Sequence, residues 1–377
     1  MVYVAFNYRV GALGFMAHPD LTAASPRKSS GNWGLLDQIA ALQWIHRNIA
    51  TFGGDPGNVT IMGQSAGSAS VSYLQASPLA RGLIHRVFGM SASAIVSSGA
   101  GRTSTLKEAE QSGLQFQAAL SAKSMAEMRQ VPGDVILAAQ RVQGGPRFIP
   151  VVDGVLLPSM PNQIFAAGQQ NDVPVMLGYM HDESSNALRT ARTVDEYKAA
   201  AQKLFGEAAG AFLALYAVSA DADVAAAGAK AAREAGMEST MQAWALAQAK
   251  TGKAPVYFNV FSRVHPYVEG VTFSDHNPAT VGAYHTGEVP YWFQTQDAYN
   301  MFRPTRSWTP YDRDLANKMS DALIAFAKTG NPNTAAITWP RYDPANEQMV
   351  EFGDSIRVIR MNTVGLDFFA AHPVAGR

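Results

Sequence analysis

Apolar positions along the chain follow two rhythms. Short unbroken runs rich in Val, Ile, Met, Phe and Tyr occur at residues 1–10, 58–62, 86–90, 172–179 and 254–261. Between them, longer stretches place apolar residues three and four apart, at 35–50, in the stretch after Ser65, at 105–141, 195–250 and 312–328. The runs predict strands and the spaced stretches predict helices, with 348–360 as a closing β segment. Strands alternating with helices predict a mostly parallel central sheet covered on its faces by helices. A loop rich in Pro, Ser, Lys and Gly joins His18 to Gly31, and the turn Gly53-Gly54-Asp55-Pro56-Gly57 introduces the second strand. No internal repeat and no long linker interrupts this order, so residues 1–377 read as one domain.

The first run reads as a buried strand from Met1 onward, with no lead-in and no signal-peptide pattern. A central strand with nothing before it leads to the expectation of an N-terminally truncated chain. The localisation of the protein is left open, because any targeting signal would lie in the missing piece.

Composition narrows the function classes. At 377 residues and 47% hydrophobic the chain can bury a large core. A formal net charge of +0 gives no general attraction to nucleic acid or acidic membranes. No apolar run reaches the roughly 18 residues that span a bilayer. With no cysteine, disulfides, thiolate catalysis and cysteine-ligated metals are all excluded. The histidines are scattered without metal-ligand spacing. The methionines are spread along the chain and read as core filler.

The chemistry centres on residues 63–67, Gly-Gln-Ser-Ala-Gly, set between a predicted strand and a predicted helix. Strand, glycine-flanked serine and helix make a nucleophile elbow, in which a sharp turn exposes Ser65 Oγ at the sheet edge. In this geometry only glycine is expected to fit two residues to either side of the serine. A serine nucleophile needs a base to take its proton and an acid to orient that base. With chain order Ser, acid, His, the acid belongs just after the 172–179 strand, where Asp182 and Glu183 stand. The base belongs after the 254–261 strand, where His265, His276 and His285 qualify and His372 is very near the end. Spacing leaves both choices open.

The segments Asn7-Tyr8-Arg9-Val10-Gly11-Ala12-Leu13-Gly14-Phe15, Gly31-Asn32-Trp33-Gly34-Leu35-Leu36-Asp37-Gln38 and Phe52-Gly53-Gly54-Asp55-Pro56 lead into the elbow. Gly178-Tyr179-Met180-His181-Asp182-Glu183 and Ala283-Tyr284-His285-Thr286-Gly287-Glu288 follow it. With these blocks in this order, the chain resembles the type-B carboxylesterases, a family that includes p-nitrobenzyl esterases, liver carboxylesterases and cholinesterases. The resemblance implies an α/β-hydrolase fold and a serine esterase acting on small-molecule esters, with no metal or organic cofactor. It implies Ser65 as nucleophile, His285 as base and then acid, Glu183 as the acid that orients it, and Ala66 N–H as an oxyanion donor. Ser91 would hydrogen-bond the triad carboxylate from behind, and Gln64 would adjoin the nucleophile.

Three departures bear on this expectation. The family's glycine-rich oxyanion segment lies upstream of the matched blocks and has no counterpart here. The cholinesterases carry glutamate where this chain has Gln64, which points away from a choline ester. The block that normally reads Gln-Ser-Gly is Met90-Ser91-Ala92. These 377 residues alone are therefore expected to be poorly soluble and weakly active. A catalytically silent binding protein on the same fold is the competing reading, against which the intact Ser, Glu and His speak. Arg9 and Asp37 are expected to form a buried or half-buried ion pair, Asp182 to serve as a salt-bridge or capping group, and Tyr291-Trp292-Phe293 are candidates for lining the gorge. Oligomeric state is not legible.

Overall fold

The computed structural model describes residues 1–96 and 101–372. Eight strands occur among them: β1 (Thr60–Gln64), β2 (Arg86–Met90), β3 (Ser104–Thr105), β4 (Val151–Val152), β5 (Val175–Met180), β6 (Val256–Phe261), β7 (Gln348–Phe352) and β8 (Ile356–Arg360). Six form one sheet in the order β1-β2-β5-β6-β7-β8, and β3 pairs with β4 in a small separate ribbon. Every pair in the main sheet is parallel except the β7–β8 hairpin. This is an α/β-hydrolase sheet.

Parallel strands need helical crossovers, and those helices cover both faces. The central strands β5 and β6 are buried at every position, which is why they read in sequence as unbroken apolar runs. Side chains alternate between two cores. Val87, Leu177, Phe258 and Val260 pack with the helices Trp33–Asn48, Ala66–Ala76 and Ser239–Thr251. Phe88, Met176, Tyr257 and Phe261 pack on the other side against Leu315, Met319 and Phe326 of the helix Pro310–Thr329. That last helix starts with a capping box between Thr309 and Asp312 and ends at Gly330 with φ of 78°, a left-handed residue that glycine supplies without strain. A third cluster of Leu188, Tyr197, Phe212, Tyr216 and Phe369 knits together the alanine-rich helices of residues 187–233 and the final helix Thr363–Ala371. No helix of the described residues is long and apolar enough to cross a membrane.

The register decides where loops emerge. Gln64 pairs with Met90, Met90 with Gly178 and Gly178 with Asn259. The C-terminal ends of β1, β2, β5 and β6 thus open on one edge, and the residues that follow each strand meet there.

One expected strand is not formed. Residues 1–10 have no regular structure and are mostly exposed, with Tyr3 at 62% and Val10 at 62%, and Gly11–Phe15 is a short helix. A strand exists only as part of a ladder, and this segment pairs with no other strand. The loop from His18 to Gly31 also contains a helical turn, Pro19–Ala24. Arg9 and Asp37 do pair, through Nη2–Oδ1 at 2.6 Å and Nε–Oδ2 at 2.8 Å, and the Arg9 backbone N–H adds a third bond at 3.0 Å. The pair is more exposed than expected, with side chains 52% and 27% accessible, because the segment carrying Arg9 lies on the surface.

Candidate active site

Ser65 sits between the last residue of β1 and the helix Ala66–Ala76 with φ 57° and ψ −123°. A non-glycine residue in this left-handed region is strained, and it is held there by its neighbours. Its N–H donates to the Met90 carbonyl at 2.8 Å, and its own carbonyl accepts from Ala69 N–H, opening the helix. A Cβ placed at Gly63 would lie 2.1 Å from the Gly67 carbonyl oxygen, so the turn demands glycine there. A Cβ at Gly67 would meet nothing within 4 Å, so only one of the two flanking glycines is sterically required. Ala66 is the first residue of the helix, where backbone N–H groups lack acceptors within the helix.

Two loops bring an acid and a base to the same edge. Glu183, just past β5, accepts a hydrogen bond from His285 Nδ1 at 2.5 Å through Oε2. Its other oxygen accepts the Met180 N–H at 2.8 Å, which fixes the carboxylate against the end of the strand. The Glu183 side chain is 1% exposed and the His285 ring 40%, so the acid is sealed behind a base that reaches the surface. With Nδ1–H directed at Glu183, His285 Nε2 is left as the acceptor. The Gln64 side-chain amide nitrogen stands 3.3 Å from that Nε2. Ser65 Oγ makes no hydrogen bond among the described residues, so the link from hydroxyl to imidazole is open in this structure.

The other candidates lie elsewhere. Asp182 accepts the Ala283 N–H at 2.9 Å and bonds His181 at 3.1 Å, with Arg189 at 4.0 Å. Burial works to raise its pKa, but the His181 and Ala283 bonds outweigh this and hold it below the usual carboxylate range. His265 donates through Nε2 to the Gly287 carbonyl at 2.7 Å, and burial pulls its pKa down to about 4. His276 bonds Asp275 and the Tyr267 hydroxyl, and His372 packs on Phe368.

Two expectations fail locally, and one group was not foreseen. Ser91, at φ 60°, is buried and its hydroxyl has no partner among the described residues, so it does not bond Glu183, whose oxygens accept from Met180 N–H and His285. Tyr291 and Trp292 are fully buried in the core, Tyr291 donating to Asp312 at 2.9 Å, and none of Tyr291, Trp292 and Phe293 borders the cavity at His285. Glu288, three residues past His285, is 1% exposed and neither of its carboxylate oxygens has a partner among the described residues. Burial foremost, and then the nearby Glu183 charge, push its pKa up to about 8. In the sequence it reads as one more loop carboxylate, and only its spacing from His285 hints at proximity.

Comparison with known proteins shows the family of the chain. The model of the carboxylesterase family matches residues 1–367. The chain is similar to the fumonisin B1 esterase of Sphingopyxis macrogoltabida, 33% identical over 369 residues that cover 94% of this chain and 64% of that protein. It is also similar to the para-nitrobenzyl esterase of Bacillus subtilis (strain 168), 30% identical over 379 residues covering 95% and 70% respectively. A solved p-nitrobenzyl esterase structure superimposes with a TM-score of 0.72 at 28% identity, covering 96% of this chain and 73% of that one. The chain thus spans less than two thirds of the fumonisin esterase.

Proposed function

The chain belongs to the carboxylesterase family, and from that premise we propose that it hydrolyses carboxylic esters through an acyl-enzyme on Ser65. Ser65 Oγ attacks the ester carbonyl carbon while His285 Nε2 takes its proton. The carbonyl π electrons move to oxygen, and the Ala66 N–H at the helix start donates to the resulting oxyanion. The C–O bond then breaks, and the alcohol leaves with the proton from His285. Water, activated by the same ring, attacks the acyl-enzyme and releases the acid. Glu183 fixes the tautomer and orientation of His285 and stabilises the imidazolium as it forms.

The observation that carries this reading is the 2.5 Å bond between Glu183 and His285 at the sheet edge that also presents the Ser65 elbow. The open link from Ser65 to His285 fits a resting site, since such bonds often tighten only with substrate in place. Gln64 must then withdraw its amide from Nε2 as the Ser65 hydroxyl turns in. The same open link favours the second reading, a silent protein on this fold.

Labelling separates the two. A fluorophosphonate should form its adduct on Ser65, and Ser65→Ala should lower hydrolysis of a p-nitrophenyl ester by about 10⁴-fold or more. Glu183→Gln should be far more damaging than Asp182→Asn, and His285→Ala more than His265→Ala or His276→Ala. An adduct on Ser91 or Ser93, or none at all, overturns the assignment.

A further inference from the structure

A cavity of about 530 Å³ opens beside the catalytic pair, bordered by His285, His276, Tyr284, Tyr299, Thr305 and Arg306. Arg306 is the unusual member. The residue is only 4% exposed, yet none of its hydrogen bonds goes to an acid. Nε donates to His265 Nδ1 at 3.2 Å, Nη1 to the Thr305 carbonyl at 3.3 Å, and Nη2 to the Tyr284 hydroxyl at 3.3 Å. His265 is a neutral acceptor, because its Nε2–H is committed to Gly287. Three of the five guanidinium N–H groups are thus used and two are free.

Two other arginines of low exposure are paired with acids, whereas Arg86, half-buried near the start of β2, has none among the described residues. Arg233 meets Glu238 at 3.1 Å, and Arg263 meets Asp312 at 2.8 Å. A buried cation without a counter-ion is costly, and here the protein compensates with three hydrogen bonds to neutral acceptors and with π faces. The Arg306 guanidinium carbon lies 3.9 Å from the Tyr267 ring centre and 5.0 Å from that of Phe273. A second guanidinium, that of Arg303, lies 5.4 Å from the same Phe273 ring, donates to the Thr272 carbonyl and also has no acid partner among the described residues. The acid on the rim, Asp275, is 79% exposed and bonds His276. Arg306 thus stands buried and without an acid partner among the described residues, at a cavity that also reaches His285, with the exposed Arg303 near by on the Phe273 ring.

We propose that this cavity is a carboxylate subsite, and that the preferred substrates are esters carrying a free carboxylate on their acyl or alcohol half. The proposal rests on the esterase reading above and names the substrate class for it. The Arg306 fork would hold the carboxylate through its two unused N–H groups, with the aromatic walls fixing the plane of the guanidinium.

The test compares matched pairs. For the acyl side, the p-nitrophenyl monoester of glutaric acid is set against p-nitrophenyl valerate. For the alcohol side, the butyrate ester of 3-hydroxypropanoate is set against its methyl-capped analogue, with turnover followed by acid release. In at least one pair kcat/KM should favour the charged ester by about tenfold or more. That preference should shrink as salt rises, and Arg306→Gln should lower the charged-to-neutral ratio by about tenfold while Arg306→Lys keeps part of it. Glutarate itself should inhibit the wild-type protein competitively. Neutral esters turned over with no preference in either pair, and no inhibition by glutarate, overturn the subsite whether or not the Arg306 variants fold. If no ester is turned over and Ser65 takes no label, the esterase reading fails instead. Calorimetric titration of glutarate into the wild-type protein then decides the subsite alone, and absence of binding overturns it.

Discussion

Glu288 is a buried carboxyl group without a hydrogen-bond partner among the described residues. Burial foremost, and then the adjacent Glu183 charge, raise its pKa from an ordinary 4.5 to about 8, so it is neutral at pH 7. The sign of the linkage follows. Between about 4.5 and about 8 the folded chain holds a proton that the unfolded chain has lost, so stability from this group is full below the unfolded pKa and drains away as pH rises through the folded one. His265 works in the opposite direction, since its pKa is lowered to about 4 by burial and its contribution disappears as pH falls from its ordinary 6.5 towards that value. We predict that Glu288→Gln, which keeps shape and neutrality, flattens the loss of melting temperature between pH 6 and pH 9. Thermal melts of both proteins across that range check it, and parallel slopes would show that Glu288 carries no such proton. At this scale Ser65 was legible from its elbow, whereas strand-end spacing left Asp182 against Glu183 and three histidines open, and only the resemblance to the family's motif blocks singled out Glu183 and His285. Glu288 and the unpartnered Ser91 hydroxyl were not legible, because where a loop side chain points is decided by packing between β5, β6 and their loops, which no local pattern encodes.

Elements show the same division. The strand β2 begins and ends at the residues its apolar run suggested, and the helix Pro310–Thr329 extends the expected one by a residue or two, because burial on the sheet and a capping box act locally. Residues 1–10 carry strand composition just as strong and form none, since composition supplies side chains but not a ladder partner. The elbow is the element where local geometry is tightest, and it yields a paired prediction. Gly63→Ala forces a Cβ against the Gly67 backbone, which cannot yield as a flexible side chain would, so it should cost roughly 1–3 kcal/mol and displace Ser65. Gly67→Ala meets open space and should change stability by about 0.5 kcal/mol or less. Urea unfolding with a p-nitrophenyl ester assay measures both, and equal effects would refute the steric account. The ion pair of Arg9 with Asp37 gives a further check. Because Arg9 is half exposed, Asp37→Asn should cost only about 1 kcal/mol, well short of the cost of breaking a buried pair. A loss of about 3 kcal/mol or more in the same unfolding assay would mean that the pair is shielded.

Across the whole molecule the sheet has two unequal edges. β8 closes one side as the outer strand of a hairpin, whereas among the described residues β1 pairs only with β2 and its other edge carries no strand. Alongside β1 runs a groove of about 600 Å³ walled by Val2, Val4 and Phe6 on one side and Ile61 on the other, with Leu42 and Leu74 among its apolar lining. An open strand edge beside apolar surface invites pairing with another chain, and proteins usually blunt such edges with charge, proline or a covering element. Here no charged side chain stands within β1, whose five residues are Thr60, Ile61, Met62, Gly63 and Gln64. A net charge of +0 adds no long-range repulsion between molecules. We therefore predict that the 377-residue chain binds a hydrophobic dye such as ANS and self-associates as its concentration rises. Val4→Lys, which sets a charge on the wall facing β1 at a position already 38% exposed, should weaken both effects with little change in the fold. Light scattering over a concentration series, with dye fluorescence on the same samples, provides the measurement. A monodisperse monomer that leaves the dye dark would mean that residues 1–8 close over the groove in solution, so that the open edge of β1 is never presented.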